Sequence, residues 1–166
     1  MEFGFLLGDQ PLAVPPEEHL DLLLRNVEAG QKAGFSYFTI GQHFLYEDFR
    51  WLQPIPILAR LAAEIDDHVR IGTTVLVGPL QHPVQLAEDL ATLDIITGGK
   101  LIVGLGTGYM AREYEAFDQP YKKRYGLLEE QIEVMTRLWT QDRVTFDGKF
   151  WQLDDVGTHI HPIQKP

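Results

Sequence analysis

The amino-acid sequence predicts an α/β fold in which parallel strands alternate with helices, followed by a β-hairpin. Apolar segments that are typical of strands begin near residues 2, 35, 69 and 100. A segment with apolar residues at helical spacing follows most of them, and helical crossovers join parallel strands. Two architectures have this order, an open doubly wound sheet and a (β/α)8 barrel. Because a full barrel needs about 250 residues, the 166 residues could form about half of one.

Four segments have the composition of strands. They are the apolar or β-branched runs Met1–Leu7, Phe35–Gly41, Val69–Gly78 and Lys100–Gly106. The last run is continuously apolar, which suits a strand that is buried on both faces. Near the end of the chain, Arg143–Leu153 alternates around Asp147–Gly148, a dipeptide that is typical of a two-residue hairpin turn.

Helical spacing of apolar residues predicts four helices. Their predicted spans are Pro15–Ala33, Pro56–Asp67, Pro83–Ile96 and Lys122–Thr140. Proline suits the first turn of a helix and glycine suits the position after the last turn, as Gly34 and Gly98 illustrate. A polar loop is predicted between the fourth strand and the last helix. We expect a single partial domain that covers residues 1–166.

The composition excludes several classes of function. Fourteen basic and twenty-four acidic residues give a net charge of -10, which argues against binding to nucleic acid or to an anionic membrane. The chain has no cysteine, which excludes disulfides and thiolate metal sites. No apolar run approaches the roughly 20 residues of a membrane span, and no signal peptide is evident. We therefore expect a soluble, cytoplasmic protein without membrane or nucleic-acid partners.

His43 is the first candidate for chemistry. It follows the second predicted strand, and in a barrel the active site is built at the carboxyl ends of the strands. A neutral imidazole can give or take a proton near pH 7. The alternative interpretation is a histidine that only hydrogen-bonds at the end of a strand, since the sequence shows no partner for it.

A glycine-rich segment follows the fourth predicted strand. Gly104, Gly106 and Gly108 alternate with other residues, and Thr107 lies between the last two. Glycines let a backbone approach a ligand closely and expose its N–H donors. The spacing is G-x-G-x-G, which differs from the G-x-G-x-x-G of nicotinamide sites. The alternative interpretation is a flexible turn.

Other polar residues have ordinary structural interpretations. His82 suits a helix boundary, and the basic run Lys122–Arg124 suits a solvated helix start, although it could meet a phosphate. His159 and His161 form an H-x-H pair of the kind found in metal hydrolases, but no carboxylate stands at a useful spacing. We predict no metal site.

A family resemblance rests on longer stretches of sequence. The stretches GQHF, GTTVLVGPLQHPVQLAEDLATLDIITGGK and LIVGLGTGY accompany the second, third and fourth predicted strands. Together they resemble the bacterial luciferase-like superfamily of flavin-dependent enzymes. The similarity continues through YGLLEEQIEVMTRLWTQDRVTFDGKFWQLDDV to the closing HPIQKP. It implies a (β/α)8 TIM-barrel type of fold, of which this chain would hold the N-terminal half.

The resemblance also implies a function. The first expectation is a monooxygenase that uses reduced FMN and O2 on a small organic substrate. One alternative is a dehydrogenase or reductase that uses an 8-hydroxy-5-deazaflavin coenzyme on the same fold. Another is a non-catalytic, flavin-binding or structural half-barrel that dimerises. A half-barrel has open sheet edges, so we expect a homo-oligomer.

The resemblance assigns roles to particular positions. His43 would be the acid–base or flavin-contacting group, whereas its neighbour Gln42, where family members often carry an acid or a second histidine, cannot act as a base. Thr74 and Val75 would be joined by a cis peptide bond in a bulge that supports one face of the flavin ring. The segment Gly106, Thr107 and Gly108 would line the edge of the ring or its phosphate.

Overall fold

A computed structural model describes residues 2–165 of the chain. The helices are α1 Pro16–Lys32, α2 Pro54–Leu61, α3 Pro83–Ile96, α4 Ala111–Ala116 and α5 Arg124–Thr140. The strands are β1 Gly4–Leu7, β2 Gln10–Pro11, β3 Tyr37–Ile40, β4 Phe49–Arg50, β5 Arg70–Thr73, β6 Leu76–Val77, β7 Leu101–Ile102, β8 Leu105–Gly106, β9 Val144–Asp147 and β10 Gln152–Val156. The chain forms two compact units. The first runs to Leu76 and includes Lys100–Leu105, and the second comprises Val77–Gly99 and the residues from Gly106 onward.

The first unit is built on a four-stranded parallel sheet. Its order, β1-β3-β5-β7, follows the order of the strands in the chain. A doubly wound sheet reverses direction along its strand order, whereas barrel strands follow one another as neighbours. The sheet therefore confirms the predicted parallel strands and the barrel type of α/β fold.

Side chains alternate between the two faces of this sheet. One face holds Phe38, which is fully buried, and a Cβ on Gly30 of α1 would lie only 2.6 Å from its ring. This lack of a Cβ lets the helix lie directly on the sheet. On the other face, Gly72 pairs with Ile102, and a Cβ there would lie 2.2 Å from the Ile102 carbonyl oxygen. Leu6, on the edge strand β1, is 59% exposed.

The third predicted strand, Val69–Gly78, is interrupted. Strand β5 ends at Thr73, whose hydroxyl donates to the Gly104 carbonyl and accepts from the Gly104 N–H, both at 2.9 Å. A Cβ on Gly104 would lie 2.4 Å from the Thr73 carbonyl oxygen. The fourth predicted strand divides at the same place, where the Gly104 backbone bonds the Thr73 hydroxyl and its carbonyl also accepts from the Leu76 N–H at 2.9 Å. Its halves are β7 and β8.

Two further elements differ from the sequence-based expectation. Helix α2 ends at Leu61, although the apolar spacing predicted a helix to Asp67. The reason is that the Gln31 side chain of α1 donates to the Glu64 carbonyl at 3.0 Å and accepts from the Asp66 N–H at 2.7 Å. These backbone groups are satisfied without a helix. In addition, α4 lies inside the segment predicted to be a polar loop.

In the second unit, helices α3 and α5 pack side by side. The Trp139 indole donates to the Ala87 carbonyl at 2.9 Å. Gln131, fully buried on α5, donates to the carbonyls of Gly78 and Gln81, both at 2.9 Å. Amide side chains of this kind fix the path of a buried loop because they satisfy carbonyls that no helix or strand can reach.

Buried Asp94 of α3 holds the closing segment of the described chain. Its carboxylate accepts from the backbone N–H groups of Ile163 and Gln164, at 2.7 and 3.0 Å, and from the Gln164 side chain at 2.6 Å. Three hydrogen bonds to one carboxylate are strong because the acceptor is charged. The segment after the hairpin is thereby fastened to α3 without forming a strand of its own.

The β9–β10 hairpin has a longer turn than predicted. Asp147 pairs with Gln152, so the loop contains four residues, 148–151, rather than the two-residue turn expected at Asp147–Gly148. The physical reason is Glu130 of α5. Its carboxylate accepts from the backbone N–H groups of Lys149, Phe150 and Trp151 at 2.9, 2.8 and 3.2 Å, which stabilises the wider loop.

These contacts set the protonation of Glu130. Partial desolvation raises its pKa, but backbone hydrogen bonds from Phe150, Lys149 and Trp151, together with the Lys149 charge, lower the pKa below its usual range. A carboxyl whose pKa is lowered on folding stabilises the fold above its unfolded pKa, about 4.3. That contribution is lost as the pH falls through the folded pKa.

We expect Glu130→Gln to lower the free energy of unfolding at pH 7 by about 1 kcal/mol, a value reduced for the partial exposure of the carboxylate. The difference from the native chain should shrink as the pH falls below about 4. Urea unfolding at several pH values measures it. Glu129→Gln, at the exposed neighbouring position, is the matched control and should show neither effect. A pH-independent loss at Glu130 would contradict this account.

The Thr73–Gly104 contact is also testable. Thr73→Val keeps the shape of the side chain but leaves the Gly104 N–H without its partner, so the free energy of unfolding should fall by about 2 kcal/mol. Thr73→Ser retains the hydroxyl and should lose less. Equal stability of the valine and native chains would show that the hydroxyl does not hold the two strands.

Candidate active site

His43 lies just beyond β3, at the carboxyl end of the parallel sheet. Its ring contacts two aromatic rings of the following loop, with centroids 5.1 Å from Tyr46 and 4.9 Å from Trp51. Phe49 continues the group at 6.2 Å from Tyr46. The predicted histidine therefore belongs to a cluster of aromatic side chains, which fixes the plane of its imidazole.

Amide side chains position the His43 backbone. Gln42 is buried, and its Nε2 donates to the Oε1 of Gln53 at 2.9 Å. The Nε2 of Gln53 in turn donates to the His43 carbonyl at 3.1 Å. Gln42, which sequence analysis identified as a departure from the family pattern, thus has a structural role next to the candidate acid–base group.

Thr74 and Val75 are next to this loop within the same unit. The peptide bond between them is cis, as the resemblance implied. The Thr74 N–H donates to the Ile40 carbonyl at 3.0 Å, and the Gln42 N–H donates to the Val75 carbonyl at 3.1 Å. These bonds connect the bulge directly to the segment that carries His43.

The side chains of the bulge are accessible to solvent. Thr74 is exposed and Val75 is 38% exposed, although their neighbours Thr73 and Leu76 are buried. A Cβ on Gly41 would lie 3.3 Å from the Thr74 carbonyl oxygen and 3.4 Å from the Trp51 ring, so glycine allows this close packing. An exposed apolar side chain on a fixed backbone is a suitable support for a flat ring. Thr74 and Val75 thus fit a flavin.

The glycine segment lies in the second unit. Gly108 has a φ of 66°, a conformation that favours glycine, and a Cβ there would lie 2.8 Å from Val77. The Thr107 hydroxyl donates to the Gly108 carbonyl at 3.3 Å, and the Tyr114 hydroxyl donates to the Thr107 carbonyl. Gly106 ends strand β8. These hydrogen bonds fix the conformation of the segment, so it is an ordered turn rather than a flexible one.

Tyr114 keeps its proton in this contact. Burial is the main cause that raises its pKa to about 12, and the neighbouring Glu113 and Tyr121 raise it further against the opposing effect of Arg124. The phenol therefore remains a donor to Thr107 throughout the physiological pH range. Because Tyr114 lies within the predicted polar loop, no periodic signal identified it.

The remaining candidates have structural roles. His82 caps α3 by accepting from the Val84 N–H at 3.3 Å, as predicted. Arg124 lies over the rings of Tyr121 and Tyr125, at 4.1 and 4.5 Å from their centroids. His161 contacts the Trp139 carbonyl at 3.2 Å. Within residues 2–165, no group of three or more histidine, aspartate or glutamate side chains could hold a metal ion.

A cavity of about 260 Å³ opens beside His43. Its lining includes the aromatic side chains of Phe44, Tyr46, Phe49 and Trp51, together with Arg50. Sequence analysis did not identify these residues, because a run of aromatic side chains after a strand is equally typical of a core. None of the helices in the described part of the chain has the length and apolar composition to cross a membrane.

Known proteins with two different coenzymes are similar to this chain. The chain is 30% identical over 157 residues to an F420-dependent glucose-6-phosphate dehydrogenase of Intrasporangium calvum, covering 90% of this chain and 46% of the relative. It is 28% identical over 156 residues to an FMNH(2)-dependent dimethylsulfone monooxygenase of Pseudomonas putida, covering 89% of this chain and 41% of the relative.

A solved structure is similar over the same extent. The monooxygenase RslO1 from Streptomyces bottropensis superimposes with a TM-score of 0.87 and 30% identity, over 99% of this chain and 51% of that one. The chain thus spans about half the length of the relatives it matches. The family model of the luciferase-like monooxygenases matches residues 1–166. The chain therefore belongs to that family.

Proposed function

We propose that this chain carries part of the active site of a monooxygenase that uses reduced FMN and O2 on a small organic substrate. The observation that carries the proposal is the junction of His43 and the Thr74–Val75 bulge at the carboxyl end of the parallel sheet. The hydrogen bond from the Gln42 N–H to the Val75 carbonyl, 3.1 Å long, joins them. Relatives named as monooxygenases support it.

Each candidate residue has a role in the proposal. Thr74 and Val75, in the first unit, support one face of the flavin ring. For Gly106, Thr107 and Gly108, in the second unit, the contact with the edge of the ring or its phosphate that the family resemblance implies stays a prediction. When bound, reduced flavin supplies the electrons that activate O2. His43 holds or transfers a proton at its imidazole, and the surrounding rings limit the access of water.

A second candidate function has support of its own. The relative from Intrasporangium calvum, at 30% identity, is an F420-dependent dehydrogenase. On this alternative, the same bulge supports a deazaflavin ring and the reaction is a hydride transfer without O2. The two candidates differ in coenzyme and in the need for oxygen, whereas the protein groups that support the ring are the same.

Assembly and location are part of the proposal. Strand β1 lies at an edge of the four-stranded parallel sheet, and the edge of a sheet can pair with another chain. We propose that copies of the protein associate as a homo-oligomer. A reduced coenzyme is supplied inside the cell, so we also propose a cytoplasmic location.

The coenzyme is tested directly with the whole protein. Reduced FMN should bind and support consumption of O2 with transfer of one oxygen atom to the substrate, whereas reduced F420 should support neither. Isothermal titration measures binding, and an oxygen electrode measures consumption. Binding of F420 alone would favour the second candidate, and binding of neither coenzyme would contradict both.

The role of His43 has its own test. His43→Gln should lower the rate of turnover by about 10²- to 10⁴-fold, the usual contribution of a positioned acid or base. Coenzyme affinity should change little. His159→Gln, at an exposed position of the second unit, is the matched control. Full turnover by the His43 variant would remove this residue from the proposal.

A further inference from the structure

The cavity beside His43 combines apolar walls with a single cationic side chain. Tyr46, Phe49 and Trp51 present ring surfaces to a space of about 260 Å³, with centroids of Tyr46 and Trp51 6.2 Å apart. Flat rings at such distances leave faces and edges that favour another aromatic ring. The space suits a small molecule with an aromatic body.

Arg50 gives the cavity its charge. Its guanidinium donates to the carbonyl of Val14 and, at 3.3 Å, to the carbonyl of Leu12. These acceptors are neutral dipoles, so they orient the guanidinium without balancing its charge. Within residues 2–165, Arg50 makes no ion pair. In a chain whose net charge is -10, Arg50 is, among the described residues, the one lysine or arginine side chain that lines this cavity.

The backbone around Arg50 fixes the position of its guanidinium. Strand β4, which contains it, pairs with β2 through Gln10 and Arg50, and the two carbonyl acceptors lie in the segment that follows β2. The guanidinium is thus held by the backbone of the segment that follows β2, and further N–H donors remain for a ligand. Glu47 and Asp48 are exposed in the same loop but do not line the cavity.

We propose that this cavity binds the substrate, and that the substrate is a small aromatic carboxylate. Its ring packs against the aromatic side chains that line the cavity, and its carboxylate pairs with Arg50, whose guanidinium can bind two oxygens at once. The inference rests on the proposed function, because the cavity is a substrate site only if His43, which lines it, belongs to the active site. The binding itself requires no coenzyme.

A matched pair of ligands tests the proposal on the native chain. The carboxylate 2-naphthoate should bind at least about tenfold more tightly than the neutral 2-naphthamide, which has the same ring and nearly the same shape. Isothermal titration without coenzyme measures both affinities. Equal affinities, or no binding of either compound, would overturn the proposal, and this comparison needs no variant to fold.

Two variants test whether the charge of Arg50 is the one that selects the carboxylate. Arg50→Gln should remove the preference for the carboxylate and leave naphthamide affinity unchanged. Arg25→Gln makes the same charge change at an exposed position of α1 and should leave the preference intact. An equal loss in both variants would mean that net charge, and not Arg50, selects the acid, which would overturn the assignment.

The tryptophan side chains report the location of the ring. The indole N–H of Trp51 has no hydrogen-bond partner in the described part of the chain, and Trp139 and Trp151 lie in the other unit. Naphthoate should shift the NMR signal of Trp51, assigned with Trp51→Phe, and not the other two. Shifts at Trp139 or Trp151 alone would overturn the proposal.

Failure of this inference is distinguishable from failure of the proposed function. If FMN binds and supports turnover but the acid and the amide bind alike, only the substrate class is wrong. If the acid is preferred through Arg50 and neither coenzyme binds, the proposed function is wrong while the carboxylate site stands.

Discussion

The contact between Thr73 and Gly104 is the constraint on which the candidate site depends. The Thr73 hydroxyl exchanges two hydrogen bonds with the Gly104 backbone, whose carbonyl also accepts from the Leu76 N–H, and the missing Cβ of Gly104 lets the strands approach. Beyond that point the backbone can leave the sheet, so the side chains of Thr74 and Val75 become exposed. The N–H of Gln42 then ties the bulge to the segment that ends in His43. A buried polar contact thereby determines which residues reach the site.

The spacing of apolar residues in the sequence predicts much of the architecture. The parallel strands and the long helices α1, α3 and α5 were predicted near their observed positions, because alternation and helical spacing record burial directly. The predicted bounds are wrong where a side chain that is distant in sequence hydrogen-bonds to the backbone groups of an element. Gln31 ends α2 early, and Glu130 widens the hairpin turn. Such contacts join residues that are far apart in sequence, so no local pattern encodes them.

The candidate site was predictable only in part. His43 was identified from its position after the second predicted strand, and Thr74 and Val75 were identified by the family resemblance. The structure places these residues in one unit. The aromatic cluster and Arg50 were not identified, because their significance lies in the cavity that they enclose. Family membership fixes the fold. It leaves the coenzyme open, since relatives at similar identity use FMN or F420.

The central claim is that a flavin ring rests on the Thr74–Val75 bulge beside His43. The most direct measurement is an NMR titration of the isotope-labelled protein with FMN, following assigned backbone amide signals. The account predicts that the largest shifts fall on Thr74, Val75 and His43. Shifts confined to the β9–β10 hairpin, or no shifts at saturating FMN, would contradict it.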